Sequence, residues 1–337
     1  MTPESLDQIR LTHRLAVREA FSHYGPGRAV PIEQLYAADC AWHGPHPFAA
    51  AHGPTHVSRN FFEPLFFAFP DLERREDVSI AGEWSGHTWI AVHGYFQGLF
   101  KNPWLGFRPS GGLVRLRFGE FSRLKSNKII EQYLIIDLLD LMRQLDCWPL
   151  VPALGRMDLV PGPREHDGII SIPQSEAESA KSLALVEAMG NALRRYDGTN
   201  LDSMEQWKYW TPNFTWYGPA GIGSCRGQED YRRVHQEPFL RAWPDRKGGN
   251  HKSRIAEGRY IASTGWPSVR GTHTGGGFLG LTPTGRPIGM RVMDFWKRSG
   301  DLLDENWVLI DLLDLLIQMD FDVLQRLRES GELLPET

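Results

Sequence analysis

Two long segments of the chain repeat each other at one constant offset, and this duplication constrains the fold more than any other feature. Residues 135–141 (Ile-Ile-Asp-Leu-Leu-Asp-Leu) return as residues 309–315 (Leu-Ile-Asp-Leu-Leu-Asp-Leu), an offset of 309 − 135 = 174. Residues 42–45 (Trp-His-Gly-Pro) return as residues 216–219 (Trp-Tyr-Gly-Pro), again with 216 − 42 = 174. Solenoid repeats have periods of only about 20–50 residues. The sequence therefore predicts two tandem copies of one globular domain.

The length of 337 residues agrees with this duplication, since a domain takes roughly 150 residues. We predict a first domain at residues 1–151 and a second at residues 176–337. The segment 152–175 between them is rich in proline and glycine, which is typical of a linker.

Composition and charge exclude several classes of protein. The formal net charge is −4 with both signs mixed along the chain, which argues against a nucleic-acid partner. No apolar run approaches the roughly 20 residues that span a bilayer, and the N-terminal segment has no signal-peptide core. The three cysteines, Cys40, Cys147 and Cys225, do not align between the copies, so neither a disulfide framework nor a cysteine-based metal site is indicated. We expect a cytoplasmic protein without a membrane partner.

The order of predicted elements is the same in both copies. An opening helix over residues 6–21 ends at Gly25-Pro26-Gly27, and a second helix over residues 57–69 contains Pro64. Several strands follow, and a closing helix is capped by Asp137. Helices followed by a run of antiparallel strands indicate an α+β fold.

Four segments of the second copy resemble a known family in their order and spacing. They are residues 270–275 (Arg-Gly-Thr-His-Thr-Gly), 278–285, 293–296 (Met-Asp-Phe-Trp) and 305–311. Both copies resemble the SnoaL-like polyketide cyclases of the nuclear-transport-factor-2-like superfamily. The resemblance implies two tandem cone-shaped α+β barrel domains, each a curved antiparallel sheet wrapped round helices and an apolar pocket, with no metal and no organic cofactor. Because such domains often pair sheet against sheet, we expect the two domains to pair within the chain, which leaves further homo-oligomerisation open.

In this family an aspartate on the penultimate strand acts as acid and base, with the histidine of the Gly-Thr-His motif nearby; these positions match Asp294 and His273. On a strand, Asp294 shares one face with Val292 and Trp296. A carboxylate between apolar side chains has a raised pKa, which suits a general base near neutral pH. The alternative is a structural ion pair with a nearby arginine.

The first copy carries Glu120 at the position of Asp294, since 294 − 120 = 174. It has Phe96 in place of the histidine, so His43 and His93 are the candidate pocket histidines of this copy. Several further side chains of both copies are predicted to bind substrate. The complete set of predicted substrate-binding residues is Trp42, His43, His93, Trp216, Tyr217, Arg291 and Trp296.

Histidines are concentrated in the first copy at His43, His46, His52 and His56. They lie in a loop rich in proline and glycine, without the regular spacing of known metal motifs. We therefore predict no metal site.

These features favour an enzyme that acts on a small apolar carbonyl or polycyclic compound through carboxylate and histidine acid-base chemistry. Aldol-type cyclisation, isomerisation and a lyase step all fit such a site. Two alternatives stay open, a non-catalytic module for small-molecule binding or dimerisation and a hydrolase whose carboxylate activates water.

Overall fold

The computed structural model describes residues 5–22 and 31–335, and the chain forms two compact units. The first unit takes in the described residues up to Pro149, the segment Asp311–Ile317 and the residues from Phe321 onwards; the second comprises Leu150–Ile310 and Gln318–Asp320. The compact units thus differ from the predicted sequence boundaries at the linker and at the closing helices. The boundaries drawn from the repeat remain a prediction about the duplicated sequence.

Six strands form the sheet of the first unit: β1 Tyr36–His43, β2 Ala51–His52, β3 Glu73–Trp84, β4 His87–Leu99, β5 Leu113–Lys125 and β6 Lys128–Ile136. Their order in the sheet is β2-β1-β6-β5-β4-β3. β1 pairs with β6 in parallel, and the other neighbours are antiparallel.

Seven strands form the sheet of the second unit: β7 Trp210–Tyr217, β8 Cys225–Arg226, β9 Lys247–Gly248, β10 His251–Glu257, β11 Tyr260–Thr272, β12 Pro287–Ser299 and β13 Leu302–Ile310. The order is β10-β11-β12-β13-β7-β8, and the short β9 pairs with β11. β13 and β7 are parallel, as β6 and β1 are in the first unit. The repeated topology confirms the prediction of two α+β domains.

The α-helices are α1 Leu6–Ser22, α2 Pro54–Val57, α3 Glu63–Ala68, α4 Leu138–Gln144, α5 Glu176–Leu193, α6 Gly227–Tyr231, α7 Glu237–Ala242, α8 Leu312–Gln318 and α9 Val323–Glu329. α1 begins at Leu6, as the predicted opening helix does. The predicted stop at Gly25-Pro26-Gly27 lies outside the described residues. Among the described residues, no helix is long and apolar enough to span a membrane.

A π-helical turn precedes the proline of the second helix in both units. Ser58–Phe62 connects α2 to α3, and Arg232–Gln236 connects α6 to α7. Pro64 and Pro238 follow these turns at the start of α3 and α7. Proline has no N–H to donate, and its ring crowds the carbonyl group of the preceding turn. A wider π-helical turn just before the proline relieves this crowding.

The repeated aspartates serve as helix caps, as the sequence predicts. The Asp137 carboxylate accepts a hydrogen bond from the backbone N–H of Asp140 at 3.2 Å, and Asp311 accepts one from Asp314 at 3.3 Å. Both contacts satisfy donors that the first turn of a helix leaves free. The strongest repeat in the sequence is therefore a feature of folding.

In the first unit, aromatic side chains fill the space between the helices and the inner face of the sheet. Phe21 of α1 contacts Phe62, Phe66 of α3 and Phe96 of β4, with ring centroids 5.6–6.2 Å apart. We call this side of each sheet, which carries Glu120 in the first unit and Asp294 in the second, the inner face.

Candidate active site

Asp294 lies at the centre of a row of side chains that crosses the sheet of the second unit. It is opposite Ser263 of β11 on one side and Val308 of β13 on the other. Residues directly opposite in antiparallel strands present their side chains on the same face. The predicted alternation along β12 also holds, since Val292 and Trp296 lie on the face of Asp294.

This face and the helices above it enclose a cavity of about 770 Å³. Its walls are largely aromatic: Trp210, Trp216, Tyr231, Phe239 and Trp296. Its charged lining residues are Arg194, Asp197, Arg246, Lys247, Arg254 and Asp294. A concave apolar space of this size with a few convergent polar groups is the usual form of a small-molecule site.

The Asp294 carboxyl group is half-buried because it faces the cavity and is otherwise surrounded by protein. Burial raises its pKa from 3.8 to about 7, while a hydrogen bond with Asn306 and the positive charge of Arg254 oppose part of this rise. Near neutral pH the group is therefore divided between the acid and the carboxylate. A group in that state both accepts and donates a proton.

His235 is a cavity residue that the sequence analysis missed. It lies in the π-helical turn Arg232–Gln236, and its ring stacks on Trp216 with centroids 4.4 Å apart. Burial lowers its pKa to about 4, so the ring is neutral, and its Nδ1 is buried without a hydrogen-bond partner among the described residues. The sequence held a signal, because the first copy has the fully buried Phe61 at this position (235 − 174 = 61).

The structure does not bring His273 and Asp294 together. β11 ends at Thr272, which pairs with Pro287, whereas Asp294 pairs with Ser263. Pro287 and Asp294 are seven residues apart on β12, which corresponds to roughly 23 Å of extended strand. His273 is fully buried outside the cavity lining, with Nδ1 3.3 Å from the Thr284 hydroxyl group. The expected proximity of the two residues is wrong, because the histidine lies beyond the end of its strand.

Glu120 occupies the corresponding place on the inner face of the first unit, opposite Val92. Both of its carboxylate oxygens accept hydrogen bonds from Arg74, at 2.6 and 3.0 Å, and both side chains are buried. The Arg74 guanidinium also lies over the ring of Phe118, 4.5 Å from its centroid, and bonds to Glu76. The carboxylate of the first unit is thus fully occupied by a structural ion pair.

The two candidate histidines of the first unit do not share a face with Glu120. His93 is opposite Gly119, the neighbour of Glu120, so its side chain lies on the other side of the sheet. His43 pairs with Tyr133 and stacks on its ring, with centroids 4.4 Å apart. Neither histidine is therefore placed to exchange a proton with Glu120.

The remaining predicted substrate-binding residues divide between the cavity and other places. Trp216 and Trp296 line the cavity, whereas Tyr217 stacks on Trp307 and Arg291 lies over Trp266, both outside its lining. Trp42 is completely buried in the first unit against Phe61. Alternation on the strands separates each cavity residue from its sequence neighbour.

Within residues 5–22 and 31–335, no group of three or more histidine, cysteine, aspartate or glutamate side chains has the arrangement of a metal site. The described cysteines are free and buried.

The family model described as SnoaL-like polyketide cyclase matches residues 15–145 and again residues 190–319. The chain belongs to this family. Each SnoaL-like domain accounts for one of the two sheets.

Solved structures similar to one SnoaL-like domain include AclR from Streptomyces galilaeus, with 25% identity and a TM-score of 0.34 over 42% of this chain and 97% of that chain. IdmH from Streptomyces antibioticus is 20% identical, with a TM-score of 0.33 over 40% and 98% of the two chains. A SnoaL-like protein from Jannaschia sp. CCS1 is 20% identical, with a TM-score of 0.36 over 44% and 99%. No curated protein matches the sequence.

We predict that Glu120→Gln destabilises the first SnoaL-like domain by about 3 kcal/mol, because it removes the carboxylate that binds the buried Arg74 with both oxygens and leaves only the single contact with Glu76. The unfolding temperature in calorimetry should fall by roughly 6–10 °C. The matched double variant Arg74→Met/Glu120→Leu removes both charges and should recover most of the loss. An unchanged unfolding temperature in Glu120→Gln would contradict a structural role for this pair.

We also predict that Asp294 makes the protein less stable as the pH rises. Its pKa is about 7 in the folded chain against 3.8 in the unfolded chain, so the folded state binds more protons between these values and loses stability as they dissociate. Asp294→Asn removes this dependence. Relative to the variant, the wild-type protein should lose up to about 3 kcal/mol between pH 5 and pH 8, at about 1.4 kcal/mol per pKa unit. Parallel unfolding curves of the two proteins across this range would refute the raised pKa.

Proposed function

We propose that the cavity of the second SnoaL-like domain is the active site of a cofactor-independent acid-base enzyme for small cyclic carbonyl compounds, with Asp294 as the proton-transferring group. The observation that carries the proposal is a carboxyl group with a pKa of about 7 on the wall of an aromatic cavity. A general base is most effective when its pKa is near the working pH. Family membership supports the same chemical class.

The proposed step begins with the Asp294 carboxylate, which removes a proton from the carbon next to a substrate carbonyl group. The electron pair of the C–H bond forms the enolate, and the protonated Asp294 later returns the proton to carbon or oxygen. Depending on which carbon the enolate attacks or where the proton returns, the product is that of an aldol-type cyclisation, an isomerisation or a lyase step. The aromatic walls would hold a ring system against the carboxylate.

Two other cavity groups support this assignment. Asn306 forms a hydrogen bond with Asp294 and also donates one to the carbonyl oxygen of Phe295 at 3.0 Å, so its amide is fixed in orientation and positions the carboxyl group. The neutral ring of His235 lines the same cavity and stacks on Trp216, so it forms part of the wall that a substrate would contact.

We propose a non-catalytic role for the first SnoaL-like domain, on the specific observation that Arg74 binds both oxygens of Glu120. The pairing of the two domains within the chain remains a prediction, and cross-linking of the full-length protein tests it. A lack of cross-links between the domains would count against it. The cytoplasmic location also remains a prediction.

We predict that Asp294→Asn lowers the rate of proton exchange at least about 100-fold, because the amide is nearly isosteric but does not accept a proton. The assay follows deuterium incorporation next to the carbonyl group of 1-tetralone in D₂O by NMR. For the wild-type protein the rate should rise with pH and reach half its maximum at about pH 7, because the carboxylate is the active form.

The matched control is Asp301→Asn, which changes the same chemical group on an exposed aspartate that pairs with Lys181 on the surface. This variant should exchange the ketone at the wild-type rate. If Asp294→Asn keeps the wild-type rate while it remains folded by circular dichroism, Asp294 is not the base and the proposed function is wrong.

A further inference from the structure

Two arginine side chains line the cavity without an ion-pair partner among the described residues. The guanidinium groups of Arg246 and Arg254 are both half-buried, and neither forms a hydrogen bond or an ion pair with any side chain in residues 5–22 and 31–335. The Nε atom of Arg254 is buried without a partner in the same part of the chain. Arg246 instead lies over the rings of Tyr196 and Phe239, 5.2 and 6.0 Å from their centroids.

An unpaired cation in an apolar cavity is costly. Burial lowers the pKa of both guanidinium groups, which shows that the surroundings disfavour their charge. Arginine nevertheless remains protonated, so the folded protein keeps two charges that it does not neutralise. A buried charge of this kind is stabilised when a ligand supplies the opposite charge in a bidentate contact.

The other charged groups of the cavity do not neutralise this pair. Glu187 and Asp294 attract Arg254 from a distance without forming an ion pair. The Asp197 carboxylate accepts hydrogen bonds from the backbone of Thr199 and Asn200. Burial lowers the pKa of His251, which also lines the cavity, and the charges of Arg254 and Arg194 lower it further. The potential at this end of the cavity is therefore positive.

Arg254 and Asp294 belong to the same cross-strand row. Arg254 on β10 is opposite Ser263 on β11, and Ser263 is opposite Asp294 on β12. Two strand spacings of about 4.8 Å place their Cα atoms roughly 10 Å apart on one face of the sheet. The cavity thus presents a cationic group and a proton-accepting group to different parts of one ligand.

We propose that the cavity takes a flat cyclic substrate bearing a carboxylate group, which Arg254 binds while Asp294 faces the carbon that loses its proton. This inference rests on the proposed function for the role of Asp294. The charge of the substrate follows from Arg254 and not from Asp294, so the two ideas can be tested separately.

The test compares two probes of the same shape, 2-naphthoate and the neutral 2-naphthamide, by calorimetric titration of the full-length protein. The wild-type protein should bind 2-naphthoate at least about tenfold more tightly, since a charge-assisted bidentate contact contributes more than a neutral one. Arg254→Met keeps much of the apolar stem and removes the charge. It should reduce the preference to about threefold or less, with the affinity for 2-naphthamide unchanged.

The matched control is Arg270→Met, which removes the same charge from an exposed position of β11 outside the cavity lining and should keep the wild-type preference. Equal affinity of the wild-type protein for the two probes would overturn the inference, as would an equal loss of preference in Arg270→Met. Asp294→Asn should retain the preference for 2-naphthoate, because it removes only a like charge. If the wild-type protein shows no preference for 2-naphthoate but Asp294→Asn stops the exchange of 1-tetralone, the inference fails and the proposed function stands. If the preference is present but Asp294→Asn exchanges 1-tetralone at the wild-type rate, the proposed function fails and the carboxylate-binding role of Arg254 stands.

Discussion

The rest of the structure depends on how each domain accommodates one carboxylate on the inner face of its sheet. A charge at such a position is unfavourable unless it is paired, solvated or protonated. The first domain pairs Glu120 with Arg74 and fills the surrounding space with aromatic rings. The second domain leaves Asp294 facing a cavity, where burial raises its pKa to about 7. At this duplicated position, the paired Glu120 stabilises the fold of the first domain. The unpaired Asp294 of the second domain remains able to transfer a proton.

The contrast explains why both domains share a topology and differ in chemistry. The caps at Asp137 and Asp311, together with the π-helical turn before each proline, recur because they satisfy backbone requirements common to both copies. The positions above the sheet differ, since Phe61 is replaced by His235 and Leu72 by Arg246. These substitutions exchange apolar packing for polar groups directed at a cavity. They are destabilising in themselves, which is the usual cost of a binding site.

Much of the fold was predictable from the sequence, because the repeat, the alternation along β12 and the capping aspartates are local patterns. The sequence also placed Asp294 with Val292 and Trp296 on one face. It could not give strand register, which separates His273 from Asp294 and puts His93 on the face opposite Glu120. Nor could it show that Arg74 reaches Glu120, since these residues are 46 positions apart in the chain. His235 and Arg246 were detectable in principle, as a polar residue in one copy where the other has a buried apolar one.

The central claim is that Asp294 titrates near neutral pH inside the folded protein, and its protonation is directly observable. A ¹³C NMR titration of full-length protein labelled at aspartate side-chain carboxyl groups measures it, with Asp294→Asn used to assign the signal. The account predicts an aspartate signal that titrates at about pH 7 and is missing in the variant, distinct from that of Asp77, whose pKa burial raises to about 6. A signal assigned to Asp294 that titrates at about pH 4, as an ordinary aspartate does, would contradict it.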